Sequence, residues 1–260
     1  MKKYLLILTT LLLLGGGCSK EESPETAAGE GSVEFLTTTS SEVEAQTTRA
    51  QISLPANCKP ANSNFKLVIK GKEGTATSEY LAEYTTISEY TAPFMPSGDY
   101  TATISYGNPA QEGNTAFCYQ GTLDFTILAR KTIQKTITAS LSNSVISLEC
   151  GEWFKKYYSE AQFVVQTESG NNFSFTQASL ANTPIFVKPG TKLLLKGTAV
   201  KAQNGVKVEF PEQQIGVTAA RTWHKILIDA SQAGQGSISI RLDDTMTEVT
   251  PQDIELNPEA

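Results

Sequence analysis

Ile127-Leu128-Ala129-Arg130-Lys131-Thr132-Ile133-Gln134-Lys135-Thr136-Ile137 finds a counterpart 90 residues later in Val217-Thr218-Ala219-Ala220-Arg221-Thr222-Trp223-His224-Lys225-Ile226-Leu227. Both read as an apolar strand, a short basic turn and a second apolar strand. Around this pair three smaller matches keep the same order: Ile52-Ser53-Leu54 with Ile146-Ser147-Leu148, the strand opening at Phe65 with that at Phe163, and Pro96-Ser97-Gly98 with Pro189-Gly190. Ordered matches at offsets of 90 to 98 residues favour duplication of one structural unit. Between the matches the chain alternates apolar and polar side chains. Phe65, Leu67 and Ile69 share one face of a strand, as do Tyr100, Ala102, Ile104 and Tyr106, then Leu123, Phe125 and Ile127, then Ile133, Ile137, Ala139 and Leu141, with Lys135 the one breach. No helix-length period is evident.

Short strands at this spacing predict an all-β chain of two tandem antiparallel β-sandwiches, immunoglobulin- or transthyretin-like. The expected division is a signal segment at 1–17, an acidic leader or tether at 18–49, sandwiches at 50–141 and 142–242, and an extended tail at 243–260. Residues 19–48 are rich in Ser, Thr, Glu, Gly and Ala, which predicts a disordered tether. Residues 32–36 are its one strand-like patch.

The 260-residue chain has 21 Lys and Arg against 27 Asp and Glu. Loss of residues 1–17 would remove only Lys2 and Lys3, leaving 19 cations against 27 anions and a net charge of −8. The leader holds Lys20 and Arg49 against seven glutamates, or −5 of that total. With no basic cluster to neutralise phosphates, nucleic acid is excluded as a partner.

At the start, Lys2 and Lys3 precede an apolar run at 4–14 that is too short to span a bilayer, then Gly15-Gly16-Gly17-Cys18. This resembles a bacterial lipoprotein signal, although Gly15 stands where an aliphatic residue is usual and Leu14 lies one position early. Cys18 would become the lipidated first residue. Ser19-Lys20-Glu21-Glu22 resembles the acidic tag that sends Bacteroidetes lipoproteins to the outer face of the outer membrane. The resemblance implies a lipid-anchored outer-membrane protein exposed at the cell surface.

Catalytic signals are sparse. His224 is the only histidine and is expected on a strand surface. Asp243 and Asp244 lack the spaced loop of a calcium site, and no cysteine pair has zinc spacing, so neither metal, cofactor nor enzymatic activity is expected. Cys58, Cys118 and Cys150 allow one disulfide, with Cys58–Cys118 inside the first sandwich, or three buried thiols. Trp153, Phe154, Tyr157 and Tyr158 fall on one side of a helical turn and could pack a core or present a glycan platform. Tyr80, Tyr84 and Tyr90 pose the same choice.

Thr47-Thr48-Arg49-Ala50 after a lipidated acidic leader and before tandem sandwiches resembles the fimbrillins of Bacteroidetes, the type V pilins. It is also similar to a group of Bacteroides lipoproteins of unassigned function with a Thr-Arg-Ala segment, a Gly-x-Tyr strand opening (Gly98-Asp99-Tyr100) and a Tyr-x-Gly step (Tyr119-Gln120-Gly121). The resemblance implies a structural or adhesive role, with an arginine-specific cut between Arg49 and Ala50 that removes the leader and opens a groove for a strand from the next subunit. Residues 32–36 would be the strand removed and 245–256 the donor, although Pro251 interrupts the latter. Asp244-Thr245-Met246 resembles a Bacteroides O-glycosylation acceptor at Thr245. The competing expectation is a glycan-binding accessory lipoprotein that uses Trp153, Tyr157 or Trp223 on host or dietary glycans.

Overall fold

A computed structural model describes residues 29–45, 51–177, 183–230, 238–242, 245–249 and 252–253. Among the described residues the chain is all-β apart from one short helix and three single 3-10 turns. In chain order the first strands are β1 (Glu30–Ser40), β2 (Glu42–Ala45), β3 (Gln51–Ser53), β4 (Lys66–Gly71), β5 (Leu81–Tyr84), β6 (Met95–Pro96), β7 (Gly98–Tyr106), β8 (Tyr119–Ile127) and β9 (Thr132–Leu141). Then come β10 (Ser144–Cys150), α1 (Glu152–Tyr157), β11 (Tyr158–Thr167), β12 (Asn172–Thr176), β13 (Ile185–Val187), β14 (Lys192–Lys201), β15 (Lys207–Val217) and β16 (Thr222–Ala230). β17 (Ile238–Leu242), β18 (Thr245–Val249) and β19 (Gln252–Asp253) follow.

The alternation in sequence becomes the core. Phe65, Leu67, Ile69, Tyr100, Ala102, Ile104, Ile127, Ala139 and Leu141 are all fully buried, as period-two patterning requires of strands with one face inward. The first sheet runs β5-β4-β7-β8-β9-β1-β6. β8 and β9 meet only at Tyr119–Leu141 and Gln120–Ser140, so the sheet folds over at that corner. Gly121 allows this close approach, because a Cβ there would lie 2.5 Å from the Thr138 carbonyl oxygen. The folded sheet encloses a cluster that includes Val33, Phe65, Tyr100, Phe125 and Ile137.

The second half repeats this plan. β12-β11-β14-β15 corresponds to β5-β4-β7-β8, and β16-β10-β13 corresponds to β9-β1-β6. The details agree as well: β10 lies parallel to β16 with Val145 beside Trp223, as β1 lies parallel to β9 with Val33 beside Ile133. β13 then pairs antiparallel with the start of β10, as β6 does with the start of β1. The two sheets of the second half pack over Ile146, Leu148, Phe163, Leu195, Phe210 and Ile226.

Several expectations need correction. Pairing is not purely antiparallel: β1–β9, β10–β16 and β2–β16 are parallel. The counterpart of residues 146–148 is β1 in the leader rather than Ile52-Ser53-Leu54, which lies in and just after β3, a strand paired with β2. The tether reading therefore fails over 30–45. Composition misleads there because threonine, counted as a polar linker residue, is β-branched and suits a pleated strand. The tail also departs from a free extended segment, since β18 pairs with β17 and β19 with β15.

Cys58, Cys118 and Cys150 are buried free thiols, and the expected Cys58–Cys118 bridge is not formed. Tyr119, the residue next to Cys118, is the one that shares the core with Cys58, and its hydroxyl donates to the Cys58 carbonyl at 3.0 Å. Burial pushes the Cys150 thiol up to about 12. His224 is buried rather than on a strand surface, and its Nε2 accepts the Ala219 N–H at 2.8 Å.

Candidate functional site

The feature that distinguishes the first unit is the slot filled by β1. Nine consecutive residues, Ser32 through Ser40, pair in parallel with Thr132 through Ser140. Val33 is fully buried, and Phe35 reaches Phe125 edge-on at 5.5 Å and Tyr90 at 5.3 Å. On the outer face the hydroxyls of Ser32 and Thr132, and of Thr38 and Thr138, are 2.8 Å apart. Such cross-strand hydroxyl pairs contribute tenths of a kcal/mol up to about 1 kcal/mol each. Glu34, Leu36 and Thr38 face solvent.

Among the described residues, the opposite edge of β1 has strand cover only at Glu30 and Gly31, through β6. Beyond that, side chains take over. The Tyr90 hydroxyl donates to the Val33 carbonyl at 2.8 Å, and Asn62 Nδ2 donates to the Thr37 carbonyl at 2.9 Å. Asn62 Oδ1 in turn accepts the Thr39 hydroxyl at 2.8 Å. Burial, and then the neighbouring Tyr84 and Tyr80, raise the Tyr90 phenol well above its ordinary range, so it stays a protonated donor. Neither residue's role was legible in advance: an isolated asparagine and one tyrosine among several carry no periodic signal.

After Ser41 the leader enters the second unit. β2 adds to the edge of β16 with Glu44 beside Thr222 and Ala45 beside Trp223, and β3 pairs back on β2. β17 occupies the next stretch of that same β16 edge, Ile226 to Ala230. Arg49 and Ala50 lie between β2 and β3 in sequence, outside the described residues, as do Cys18, Ser19, Lys20, Glu21 and Glu22. Thr245 opens β18, with its backbone paired to Leu242; its side chain lies outside the description.

A second contact region joins the units. Glu112, in the loop between β7 and β8, accepts the Thr167 hydroxyl at 2.6 Å, Asn171 Nδ2 at 2.7 Å and the Lys188 backbone N–H at 3.0 Å. Burial alone would raise its carboxyl, but these hydrogen bonds, with the Lys188 charge, hold it below its ordinary value. Beside it Gly113 and Phe186 exchange two backbone hydrogen bonds of 2.9 Å. Val145, Phe186 and Trp223 join the core cluster of the first unit.

The aromatic candidates divide. Trp223 is 9% exposed and donates from Nε1 to the Ser147 hydroxyl at 2.8 Å, so it is not a glycan platform. Phe154 is fully buried, seated where the Asp229 carboxylate accepts its N–H at 3.0 Å, and Tyr158 is buried beside it. Trp153 and Tyr157 stay half-exposed with rings 19° from parallel and centroids 6.2 Å apart, and Lys156 Nζ lies 4.7 Å from the Trp153 centroid. Among the described residues no cluster of metal-ligating side chains occurs, and no helix is long and apolar enough to cross a membrane.

Residues 29–258 match the family described as a domain of unknown function, DUF4493. No curated protein matches the chain. Among solved structures, a candidate cell adhesion protein from Bacteroides ovatus is 9% identical, covering 89% of this chain and 99% of its own, at a TM-score of 0.41. A candidate polysaccharide-binding protein from Bacteroides thetaiotaomicron is 12% identical, covering 87% and 98%, at 0.39. A candidate cell adhesion protein from Parabacteroides distasonis is 8% identical, covering 90% and 99%, at 0.40.

Proposed function

We propose, for a chain that belongs to the DUF4493 family, a structural or adhesive role at the bacterial surface, resembling fimbrillins, in which cleavage between Arg49 and Ala50 frees the β1 slot for a strand of another subunit. In this reading Cys18 carries the lipid anchor, residues 19–22 direct the protein to the outer face of the outer membrane, and the folded mass comprises two sandwich units. The carrying observation is that β1, upstream of Arg49, holds in the first unit the place that β10 holds in the second. Hydrolysis there would leave the first unit without an integral strand. It would expose the edge of β9 from Thr132 to Ser140, and an unpaired edge of that length favours strand addition.

Limited digestion of the full chain with an arginine-specific protease, with products identified by mass, tests the reading. A product that starts at Ala50 should form larger species on size-exclusion chromatography, while Arg49→Ala stays monomeric. A cleaved chain that releases its leader and remains monomeric at high concentration overturns it. Because β18 and β19 already pair within their own chain, use of the tail as donor requires their release, and added tail peptide 243–260 should compete with assembly.

The half-exposed, near-parallel rings of Trp153 and Tyr157 favour a second reading, glycan contact on that ridge. Lys156 already covers both rings, at 4.7 and 5.7 Å. A saccharide would have to displace it, so Lys156→Ala should raise glycan affinity if the ridge binds sugar and leave a glycan array blank if it does not.

A further inference from the structure

We propose that Phe94 is the plug of a head-to-tail contact between copies of this chain, seated beside the Trp153–Tyr157 ridge at the far end of a second copy. The joint between the two units is the template. In each unit a left-handed arginine, Arg130 (φ 60°) or Arg221 (φ 58°), donates its backbone N–H to a carbonyl, that of Glu30 at 2.6 Å or of Asn143 at 2.8 Å. The residues after those carbonyls, Gly31 and Ser144, pair with Met95 and Val187. Phe94 and Phe186 immediately precede these two partners, so a phenylalanine stands at the same end of both units. Their surroundings are opposite. Phe186 is fully buried, edge-on to Phe117 of the β7–β8 connection with centroids 5.7 Å apart. Phe94 is 73% exposed, and Leu128, whose carbonyl lies against Gly31 at the same end, is 48% exposed. A lone exposed apolar side chain is ordinary. This one repeats a side chain whose seat is visible at the joint.

A second copy carries the matching seat. β14 and β15 are the counterparts of β7 and β8, so the connection at 202–206 is the counterpart of the one that receives Phe186. It lies at the end of the second unit away from the joint. Val145 and Trp223, near the starts of β10 and β16, pack in the core of the first unit, and both strands run from there to the far end. α1 follows β10 at that end, and the Ala202 N–H donates to the Tyr157 carbonyl at 2.9 Å. Trp153 and Tyr157 therefore place a half-exposed aromatic pair beside this connection, where Phe117 stands in the first unit. β19 pairs Gln252 and Asp253 with Glu209 and Val208 at the start of β15, so the tail reaches the same end. β1 begins at the end that carries Phe94. Head-to-tail contact would thus bring the tail of one copy to the mouth of the next copy's slot. Such a contact is heterologous and can repeat from copy to copy. It goes beyond strand exchange and needs no cut. A few side chains bury far less than a stable interface, so alone it does not hold a dimer through chromatography.

The test places a photoprobe at the plug, Phe94→p-benzoylphenylalanine, in the full chain with Cys18→Ala and Arg49→Ala, so that neither lipid nor cleavage contributes. Irradiated at high concentration with an isotope-labelled copy, it should cross-link between copies, to residues within 152–158 or 202–206. The same probe at Leu81, 61% exposed on the edge strand β5, should not reach these residues. Trp153→Ala in the labelled copy leaves the buried Phe154 in place and should lower the yield roughly fivefold or more, the range of an interface anchor. Lys156→Ala, which uncovers both rings, should raise it. No cross-link between copies, or cross-links that fall elsewhere, overturns the assignment. So does a yield that ignores Trp153→Ala in a chain still folded by circular dichroism. If added phosphatidylethanolamine vesicles take the label on their acyl chains and no protein cross-link forms, this end meets a bilayer and the assignment fails. None of these outcomes bears on strand exchange, which the cut chain tests separately.

Discussion

The two units place a strand in the same position, parallel to the last strand of the repeat, and obtain it in different ways. β10 follows β9 after two residues and is buried on both faces, with Val145 and Ile146 at 0% and Leu148 and Cys150 at 1% exposure. β1 comes from the leader, buries Val33 fully and Phe35 in part, and otherwise relies on backbone pairing and hydroxyls, with Glu34, Leu36 and Thr38 in solvent. A fully buried aliphatic side chain contributes about 1.5–3 kcal/mol. β10 thus holds its place with several kcal/mol more apolar burial than β1. One topology carries a strand continuous with its own unit in the second half and, in the first, a strand drawn from the leader, which the proposed cleavage would make separable because it lies upstream of the single arginine of the leader.

The largest expected effects test the strand continuous with its unit. Trp223→Ala should destabilise the chain by about 3–5 kcal/mol in chemical denaturation, because it removes a ring packed at the junction of the units and orphans the Ser147 hydroxyl. Its register equivalent Ile133 is only partly buried, so Ile133→Ala should lose clearly less. Within the strands themselves, Leu148→Ala should lose about 2–5 kcal/mol and Val33→Ala about 1.5–3 kcal/mol. If Val33→Ala proves as damaging as Leu148→Ala, the contrast between the two strands is lost.

The repeated strand order was legible because strand alternation and turn residues survive as local patterns: the aligned Ile133 and Trp223 occupy equivalent register positions. The first strand of the first unit was misplaced. Ile52-Ser53-Leu54 matches Ile146-Ser147-Leu148 letter by letter, whereas β1 matches β10 in pairing but not in chemistry, since an amphipathic threonine strand replaces an apolar one. Parallel pairing is likewise not legible in the sequence, because local periodicity does not encode which distant strand lies alongside. The same limit hid Glu112, Asn62 and Tyr90, whose partners lie 23 to 76 residues away.

A smaller effect is expected at the contact between units, where Glu112 joins the first to the second. Its folded carboxyl lies below the ordinary value of 4.5, so its contribution is present above the unfolded value and is lost as pH falls through the lower folded one. Glu112→Gln should lose about 1 kcal/mol at neutral pH, the charged hydrogen bonds being partly offset by solvent screening at this half-exposed site. The stability curves of the wild type and Glu112→Gln should converge as pH drops through that window. Parallel curves down to the acid limit would mean that the carboxylate charge is not what holds the contact.

The smallest effect is expected on the outer face of β1. Leu36 is 51% exposed and sits opposite Thr136 in the parallel register. A surface site without packing partners usually changes stability by less than about 0.5 kcal/mol, so Leu36→Thr should be nearly neutral in the intact chain. It leaves Val33, Phe35 and the two side-chain donors untouched, so a synthetic peptide of residues 30–45 carrying the same change should enter the slot of the cut chain with unaltered affinity. If instead Leu36→Thr in the peptide weakens uptake by tenfold or more while the intact chain stays stable, the outer face of β1 meets a partner surface during assembly. The slot would then read both faces of its strand rather than the buried face alone.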